Sequence, residues 1–204
     1  MSPYEIVEAF EAEVAEYAGA RYGVAVNSCT SAIMLASSLR FCQGYTREAF
    51  LPSRTYVGVP QAIIAAGGRV VFIDFEWSGQ YGIEPLRIVD GARRFRRGMY
   101  VGGTLHCLSF HWGKHLKVGR GGMILTDNES EANLLRKMRY DGRTPGVHPR
   151  DDSFIAPAWH VYMIPEDAAR GLMLMDHMPD DNEDIPWDDY PDLSESFKVA
   201  SWVG

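Results

Sequence analysis

The side chains best placed to do chemistry in this sequence lie in Ser109-Phe110-His111-Trp112-Gly113-Lys114-His115-Leu116, followed by Lys117-Val118-Gly119-Arg120-Gly121-Gly122. The apolar run Leu105 to Phe110 reads as a buried strand that ends in polar side chains. A lysine then sits in a turn, and a glycine-rich return leads to a second apolar run, Met123 to Leu125. An ammonium held between two buried strands must be desolvated or neutralised, which is unfavourable. Converting it to an imine with an aldehyde cofactor removes that difficulty and creates an electron sink for amine chemistry. The same pattern also suits a solvated lysine on a strand-end loop. Lysine occurs only at Lys114, Lys117, Lys137 and Lys198, and arginine carries the remaining positive side-chain charge. Two lysines close together therefore invite a specific reading, beside simple compositional drift.

Four other groups could contribute. Asn27-Ser28-Cys29-Thr30-Ser31 joins a short apolar strand to a nearly all-apolar helix. That arrangement either presents backbone N–H groups to a phosphate or is plain N-capping by Ser28 or Thr30. Arg54-Thr55-Tyr56 follows a strand, at the end where open α/β sheets bind ligands. There Tyr56 would stack on a flat ring or simply pack. Asp90 closes a short strand, as a helix cap or as the partner of a buried cation. Arg93, Arg94, Arg96 and Arg97 form a basic cluster that reads as a solvated face or an anion site. His106, His111, His115 and His160 lack a zinc-type spacing with cysteine, so no metal site is expected. Neither a nucleotide-binding P-loop nor G-x-G-x-x-G after a strand is present.

The elements that position these groups can be read from periodicity and punctuation. Ser2-Pro3-Tyr4-Glu5 has the form of a capping box, opening a helix to about Tyr17 with Ile6, Phe10, Val14 and Tyr17 on one face. Strands are expected at Gly23–Val26, Ala49–Ser53, Arg69–Phe75 and Leu86–Asp90. Helices are expected at Ala32–Phe41, Val57–Ala66, Asn128 to about Tyr140, and Pro165–Met178. Trp77–Glu84 and Gly142–Pro157 read as loops. Short strands alternating with helices predict an α/β fold with a mainly parallel or mixed central sheet flanked by helices.

Composition bounds the rest. With 204 residues, 46% apolar and 23% charged, the chain is expected to form one main domain, residues 1–178. Residues 179–204 form an acidic tail carrying Asp180, Asp181, Glu183, Asp184, Asp188, Asp189 and Asp192, broken by Trp187 and Tyr190. Such a tail is disordered or packs through its aromatics on a partner. A net charge of -7 argues against duplex nucleic acid and acidic membrane surfaces as partners. Three scattered cysteines (Cys29, Cys42, Cys107), with no signal sequence and no spanning apolar run, point to a reducing cytoplasm.

Several stretches, in order, resemble the sugar aminotransferases of the DegT/DnrJ/EryC1/StrS family. Phe10 to Gly19 followed by Val24 to Ala32 looks like its F-E-x-x-x-A-x-Y-x-G leading to V-x-S-G-T-x-A. Leu51 to Val57 resembles P-S-x-T-[FW]-V, and Val89-Asp90-Gly91-Ala92 resembles E-D-A-A. Ser109 to Leu116 matches S-F-[HN]-x-x-K-x-[LI], and Gly119 to Met123 matches G-E-G-G-M. The resemblance implies the large domain of a fold type I enzyme that uses pyridoxal phosphate, with most of the C-terminal small domain missing. It implies that Lys114 forms the Schiff base and moves protons, that Asp90 pairs with the pyridinium nitrogen, and that Tyr56 stacks on the ring. Ser28, Cys29, Thr30 and Ser31, with the Ser109 hydroxyl, would hold the phosphate, and His111 lies within the lysine motif.

The sequence departs from the family in places. A strand–helix segment is missing around Trp77 to Glu84, and Cys29 stands where the family has glycine. Arg93 replaces a glutamine that contacts the cofactor's phenolic oxygen, and His160 falls where an asparagine of the partner subunit reaches the phosphate. The resemblance implies a homodimer that takes an amino group from an amino-acid donor to a carbonyl acceptor, such as a nucleotide-linked keto-sugar. Two alternatives stand beside it. One is a pyridoxal-phosphate decarboxylase or other carbanion enzyme acting on an amino acid or an aminoacylated nucleobase; the other is a non-catalytic remnant that binds the cofactor or a partner.

Overall fold

A computed structural model of the protein describes residues 3–186 and 190–197. Ser2 of the expected capping box, Trp187, Asp188 and Asp189 of the acidic stretch, and Lys198 lie outside the described residues. In chain order the elements are α1 (Pro3–Ala18), β1 (Tyr22–Val26), α2 (Cys29–Cys42), β2 (Glu48–Pro52), α3 (Gly58–Ala65) and β3 (Arg69–Ile73). These are followed by β4 (Tyr81–Ile83), β5 (Ile88–Asp90), β6 (Leu105–Ser109), β7 (Gly122–Thr126), α4 (Glu129–Met138) and α5 (Pro165–Met175).

Five strands form one sheet in the order β1-β7-β6-β5-β4, and β2 pairs with β3 in a second. The sheet is mixed. β5 and β6 run parallel, as do β2 and β3, whereas β1–β7, β7–β6 and β5–β4 are antiparallel. Parallel neighbours need a crossover of a dozen or more residues. β4 and β5 are joined by only a few residues, so they reverse direction. The loop expected over Trp77–Glu84 thus holds a strand, β4, too short and too rich in glycine to show a period. Glu84 then links the two sheets, exchanging backbone hydrogen bonds with Phe50 at 2.7 and 3.1 Å.

Side chains alternate across the large sheet with the two-residue period of a strand. Val24, Val26, Cys107 and Ile124 join a core with α2, α3 and α4, while Ala25, Leu108, Met123 and Leu125 join a second core with α1 and α5. Burial on both faces explains why β6 and β7 read as unbroken apolar runs. Each fully buried large side chain, Phe10 or Phe110 for example, contributes roughly 1.5–3 kcal/mol.

Two buried ion pairs fix the helices to this sheet. Glu11 of α1 accepts from Arg139 and from the Ala25 N–H (2.9 Å), and Arg139 also donates to the Ala25 carbonyl (2.6 Å). Arg40 of α2 reaches Glu131 of α4 at 2.5 Å and the Leu86 carbonyl at 3.0 Å.

The acidic stretch packs on its own chain. The Arg97 N–H donates to the Asp180 carbonyl, the Ile185 N–H to the Arg93 carbonyl, and the Leu193 N–H to the Ser53 carbonyl, all at 2.8–2.9 Å. The described residues of the stretch pack on their own chain in place of the disorder or partner contact that composition suggests. The arginine cluster gives the reason, since each basic side chain finds a carboxylate or an aromatic ring there.

Candidate functional site

A cavity of about 460 Å³ opens where the C-terminal ends of β5 and β6 meet the N-terminus of α2. Ser28, Cys29, Thr30, Tyr56, Asp90, Arg93, Ser109, His111 and Lys114 all line it. Ser31 and His160 do not.

Lys114 stands in the loop between β6 and β7, and that loop is fastened at its base. The Phe110 N–H donates to the Gly121 carbonyl and the Gly119 N–H to the Phe110 carbonyl, both at 3.0 Å. Buried Leu116 and Val118 anchor the far side. The Lys114 N–H donates to the His111 carbonyl at 2.8 Å, which sets the turn. Gly122 is required by packing, because a Cβ there would lie 2.5 Å from the Cys29 nitrogen. Its absence lets β7 pass directly under the first turn of α2. Lys114 is half-buried, whereas Lys117 is exposed.

Asp90, at the end of β5, is 6% exposed. Burial pushes its carboxyl above the usual range, opposed by hydrogen bonds from the Ala92 N–H and Tyr81 hydroxyl and by the charges of Lys114 and Arg93. Ala92 N–H reaches Oδ1 at 3.0 Å, and the Tyr81 hydroxyl reaches Oδ2 at 2.9 Å. Thr55 Oγ1 lies 2.6 Å from the Tyr81 hydroxyl. Because the tyrosine proton is committed to Asp90, Thr55 is the donor there. A relay from Thr55 through Tyr81 to Asp90 therefore holds the carboxylate in place, and Tyr81 was not legible in the sequence.

At the start of α2, Ser28 Oγ accepts from the Ser31 N–H at 3.0 Å, so Ser28 is an N-cap. Ser31 turns away and donates to Asn27 Oδ1 at 2.7 Å. Cys29 and Thr30 remain at the cavity, so the first helical turn, whose N–H groups have no preceding turn to bond, opens onto it. The Cys29 thiol is pushed well up, by burial first and then by Asp90, and stays neutral.

The remaining expected residues are placed as follows. Tyr56 is 55% exposed at the rim. His111 is exposed, its Nδ1 accepting from the Gly113 N–H at 3.3 Å. The Arg93 guanidinium donates to the Tyr190 hydroxyl at 3.1 Å and stacks 4.2 Å from that ring. His160 pairs with Asp141 at 2.6 Å, exposed and outside the cavity of its own chain. Trp77, Arg120 and Tyr190 also line the cavity and were not singled out from sequence. Tyr190 comes from the acidic stretch, and Trp77 precedes the unrecognised strand β4, so neither carried a local signal.

The residues present fit an aldehyde cofactor with a phosphate arm. Asp90 is a buried carboxylate whose raised pKa marks incomplete charge compensation, the environment a protonated ring nitrogen would satisfy. Lys114 supplies an amine at the same cavity, and the α2 terminus with Ser109 supplies donors for an anion. Among the described residues no group of three or more His, Cys, Asp or Glu could hold a metal, and no helix is long and apolar enough to cross a membrane.

Comparison with known proteins places these features. The spore coat polysaccharide biosynthesis protein SpsC of Bacillus subtilis is 25% identical over 224 aligned positions, covering 85% of this chain and 57% of SpsC. A UDP-N-acetyl-3-dehydro-alpha-D-glucosamine 3-aminotransferase of Acidithiobacillus ferrooxidans is 29% identical, covering 64% of this chain and 46% of that protein. The chain thus spans about half the length of the curated relatives it matches. The crystal structure of AtS13 from Actinomadura melliaura superposes with a TM-score of 0.74 at 20% identity, over 85% of this chain and 60% of that one. That likeness confirms the mixed α/β fold. The sequence model of the DegT/DnrJ/EryC1/StrS aminotransferase family matches residues 1–90 and 94–176, and the chain belongs to that family.

Proposed function

We propose that this chain binds pyridoxal phosphate and serves an aminotransferase that moves an amino group from an amino-acid donor to a carbonyl acceptor. The observation that carries this reading is the meeting of Lys114 with buried, relay-held Asp90 in one cavity at a helix N-terminus. When bound, the cofactor's pyridine ring supplies an electron sink for the bonds broken in amine transfer. The protein's own groups do the rest. Lys114 Nζ would hold the aldehyde end and, as a free amine once the substrate's amino group has taken its place, would take the proton from the substrate's α carbon. Asp90 would accept the ring N–H and keep it protonated, while Thr55 and Tyr81 keep Asp90 aimed. The first turn of α2, with Ser28, Cys29, Thr30 and Ser109, holds the phosphate; Ser31 supports that turn through its Ser28 contact. Tyr56 would stack on the ring, and Arg93 would take the place of the glutamine at the phenolic oxygen.

The name of the Acidithiobacillus relative supports a nucleotide-linked keto-sugar as acceptor. In this reading the protein works as a homodimer, with His160 of the partner subunit completing the phosphate site.

Pyridoxal phosphate added to the purified protein should give a visible absorbance band that borohydride fixes on Lys114. The Lys114→Ala variant should lose the band and lower turnover by about 10²–10⁴-fold or more. Glutamate should discharge the band with release of 2-oxoglutarate. Carbon dioxide released with the band restored would instead point to a decarboxylase, and no band at all to a non-catalytic chain.

A further inference from the structure

The arginine row beside the cavity is occupied by the protein's own carboxylates. Arg94 binds Asp184 through two hydrogen bonds, 2.8 Å from Nε and 2.5 Å from Nη2. Arg97 binds Asp180 at 2.7 Å, and Arg96 lies 3.6 Å from Asp181. The seat for Asp184 is built rather than incidental. Ser78 Oγ donates to it at 2.9 Å, and Arg94 also donates to the Ser78 carbonyl at 3.2 Å. Gly79 leaves the room, since a Cβ at that position would lie 2.3–2.4 Å from the carboxylate atoms. The Arg94 and Asp184 side chains are only 19% and 16% exposed.

This seat borders the cavity through the chain, although Arg94, Ser78 and Asp184 are not among the residues lining it. Arg93 and Trp77, which line it, are chain neighbours of Arg94 and Ser78. His115, next to Lys114, donates from Nε2 to the Glu183 carbonyl at 2.8 Å. The cavity itself, about 460 Å³, sits in the lower half of the roughly 300–1,000 Å³ range of small-molecule sites. A cofactor ring and a small amino-acid donor would take up much of that volume. The anionic part of a nucleotide-linked acceptor is therefore placed outside it, where these arginines, together with Arg120, which lines the cavity and pairs with Asp167 at 2.7 Å, are the nearby cations.

We propose that the Asp180–Asp184 run is a built-in competitor for the acceptor's diphosphate, which displaces Asp184 from Arg94 and Asp180 from Arg97. This rests on the nucleotide-linked acceptor proposed above. An arginine fork accepts carboxylate and phosphate oxygens with the same two-pronged geometry. A diphosphate brings more charge and more acceptor oxygens than one carboxylate, so it wins once its nucleotide or sugar is also held. The amino-acid donor brings only single carboxylates of the kind already seated on Arg94, so it gains no such advantage and leaves the clasp closed. The clasp thus distinguishes the two substrates of one site.

Calorimetry on the full chain with uridine diphosphate, and separately with inorganic pyrophosphate, tests this without relying on turnover. Asp184→Asn should tighten uridine diphosphate binding by fivefold or more, and Asp180→Asn, at a more exposed pair, by about twofold. Gly79→Ala should reproduce the Asp184→Asn gain by steric expulsion, and Arg94→Ala should weaken binding at least fivefold. Circular dichroism identifies any variant that does not fold; Asp180→Asn, at the surface, then carries the test. Unchanged or weaker binding in folded Asp184→Asn and Asp180→Asn overturns the proposal, as does failure of both probes to bind any form. The borohydride-fixed band on Lys114 is read separately. A band with no clasp effect refutes only the clasp, whereas a clasp effect with no band refutes only the catalytic reading.

Discussion

His106 shows at the scale of one residue how the sheet holds the site's carboxylate strand. It is fully buried on β6, paired in register with Val89 of β5. Its Nδ1 accepts from the Val101 N–H at 3.4 Å, which leaves the proton on Nε2, and that atom has no partner among the described residues. Burial, helped by the charge of Arg94, lowers its pKa from 6.5 to about 3. Between those two values the unfolded chain binds a proton that the folded chain does not. Stability is therefore whole above about pH 6.5 and declines as pH falls toward 3, with a limiting slope of about 1.4 kcal/mol per pH unit. Urea denaturation at pH 7 and pH 5 should show the wild-type loss shrinking by about 1–2 kcal/mol in His106→Asn. An equal loss in both would show that His106 does not titrate this way. Tyr81 makes the corresponding argument for Asp90. Tyr81→Phe removes the donor to a buried carboxylate oxygen and should lower stability by about 1–3 kcal/mol. It should also weaken retention of pyridoxal phosphate, which dialysis followed by absorbance would read.

At the scale of elements, legibility followed the strength of each local signal. α1 and α4 were legible because their apolar residues recur at helical spacing and because Asn128 caps α4 by accepting from the Glu131 N–H at 3.2 Å. β6 and β7 were legible as apolar runs, and the lysine loop between them as the place where those runs break. β4 was not, because three residues, one of them glycine, cannot display a two-residue period. Tyr81 went unseen with it. Tyr190 was unreadable for another reason: its role comes from a long-range contact with Arg93, which composition alone presents as an acidic tail. The sequence likewise held Glu11 and Arg139 as two unrelated charges. Folded, they join α1 to β1 through a pair whose side chains are 2% and 8% exposed. Glu11→Ala leaves the Arg139 charge buried without its partner and should lower stability by about 3–5 kcal/mol. Arg136, reaching Glu11 at 3.4 Å from a more exposed position, should matter much less when changed to alanine. Urea titrations of the two variants, with unchanged slopes, would check the contrast.

At the scale of the whole molecule, the position of His160 joins fold to assembly. It lies on the segment after α4 that returns along the sheet edge, where the Val161 N–H donates to the Arg139 carbonyl and the Asn27 N–H to the Val161 carbonyl. That segment is tied to the residue just before the Ser28 cap, yet the imidazole pairs with Asp141 and does not line its own chain's cavity. A side chain held on an ordered segment beside one site, but unable to enter it, is well placed to serve a second copy across a two-fold axis, where each copy contributes the same group to the other. The exposed ring of Trp112, 69% accessible at the lysine loop, offers apolar surface on the rim of the cavity for such a contact. The protein should therefore sediment as a dimer at micromolar concentration. His160→Ala should remain folded, because the pair with Asp141 is exposed and contributes about 0–1 kcal/mol. It should nonetheless release pyridoxal phosphate several-fold faster than wild type. Mixing His160→Ala with Lys114→Ala gives a sharper test. Mixed dimers would contain one site with an intact Lys114 facing an intact His160, and that site should regain the wild-type rate of cofactor release. A monomer in sedimentation, or no recovery on mixing, would place the whole site within one chain.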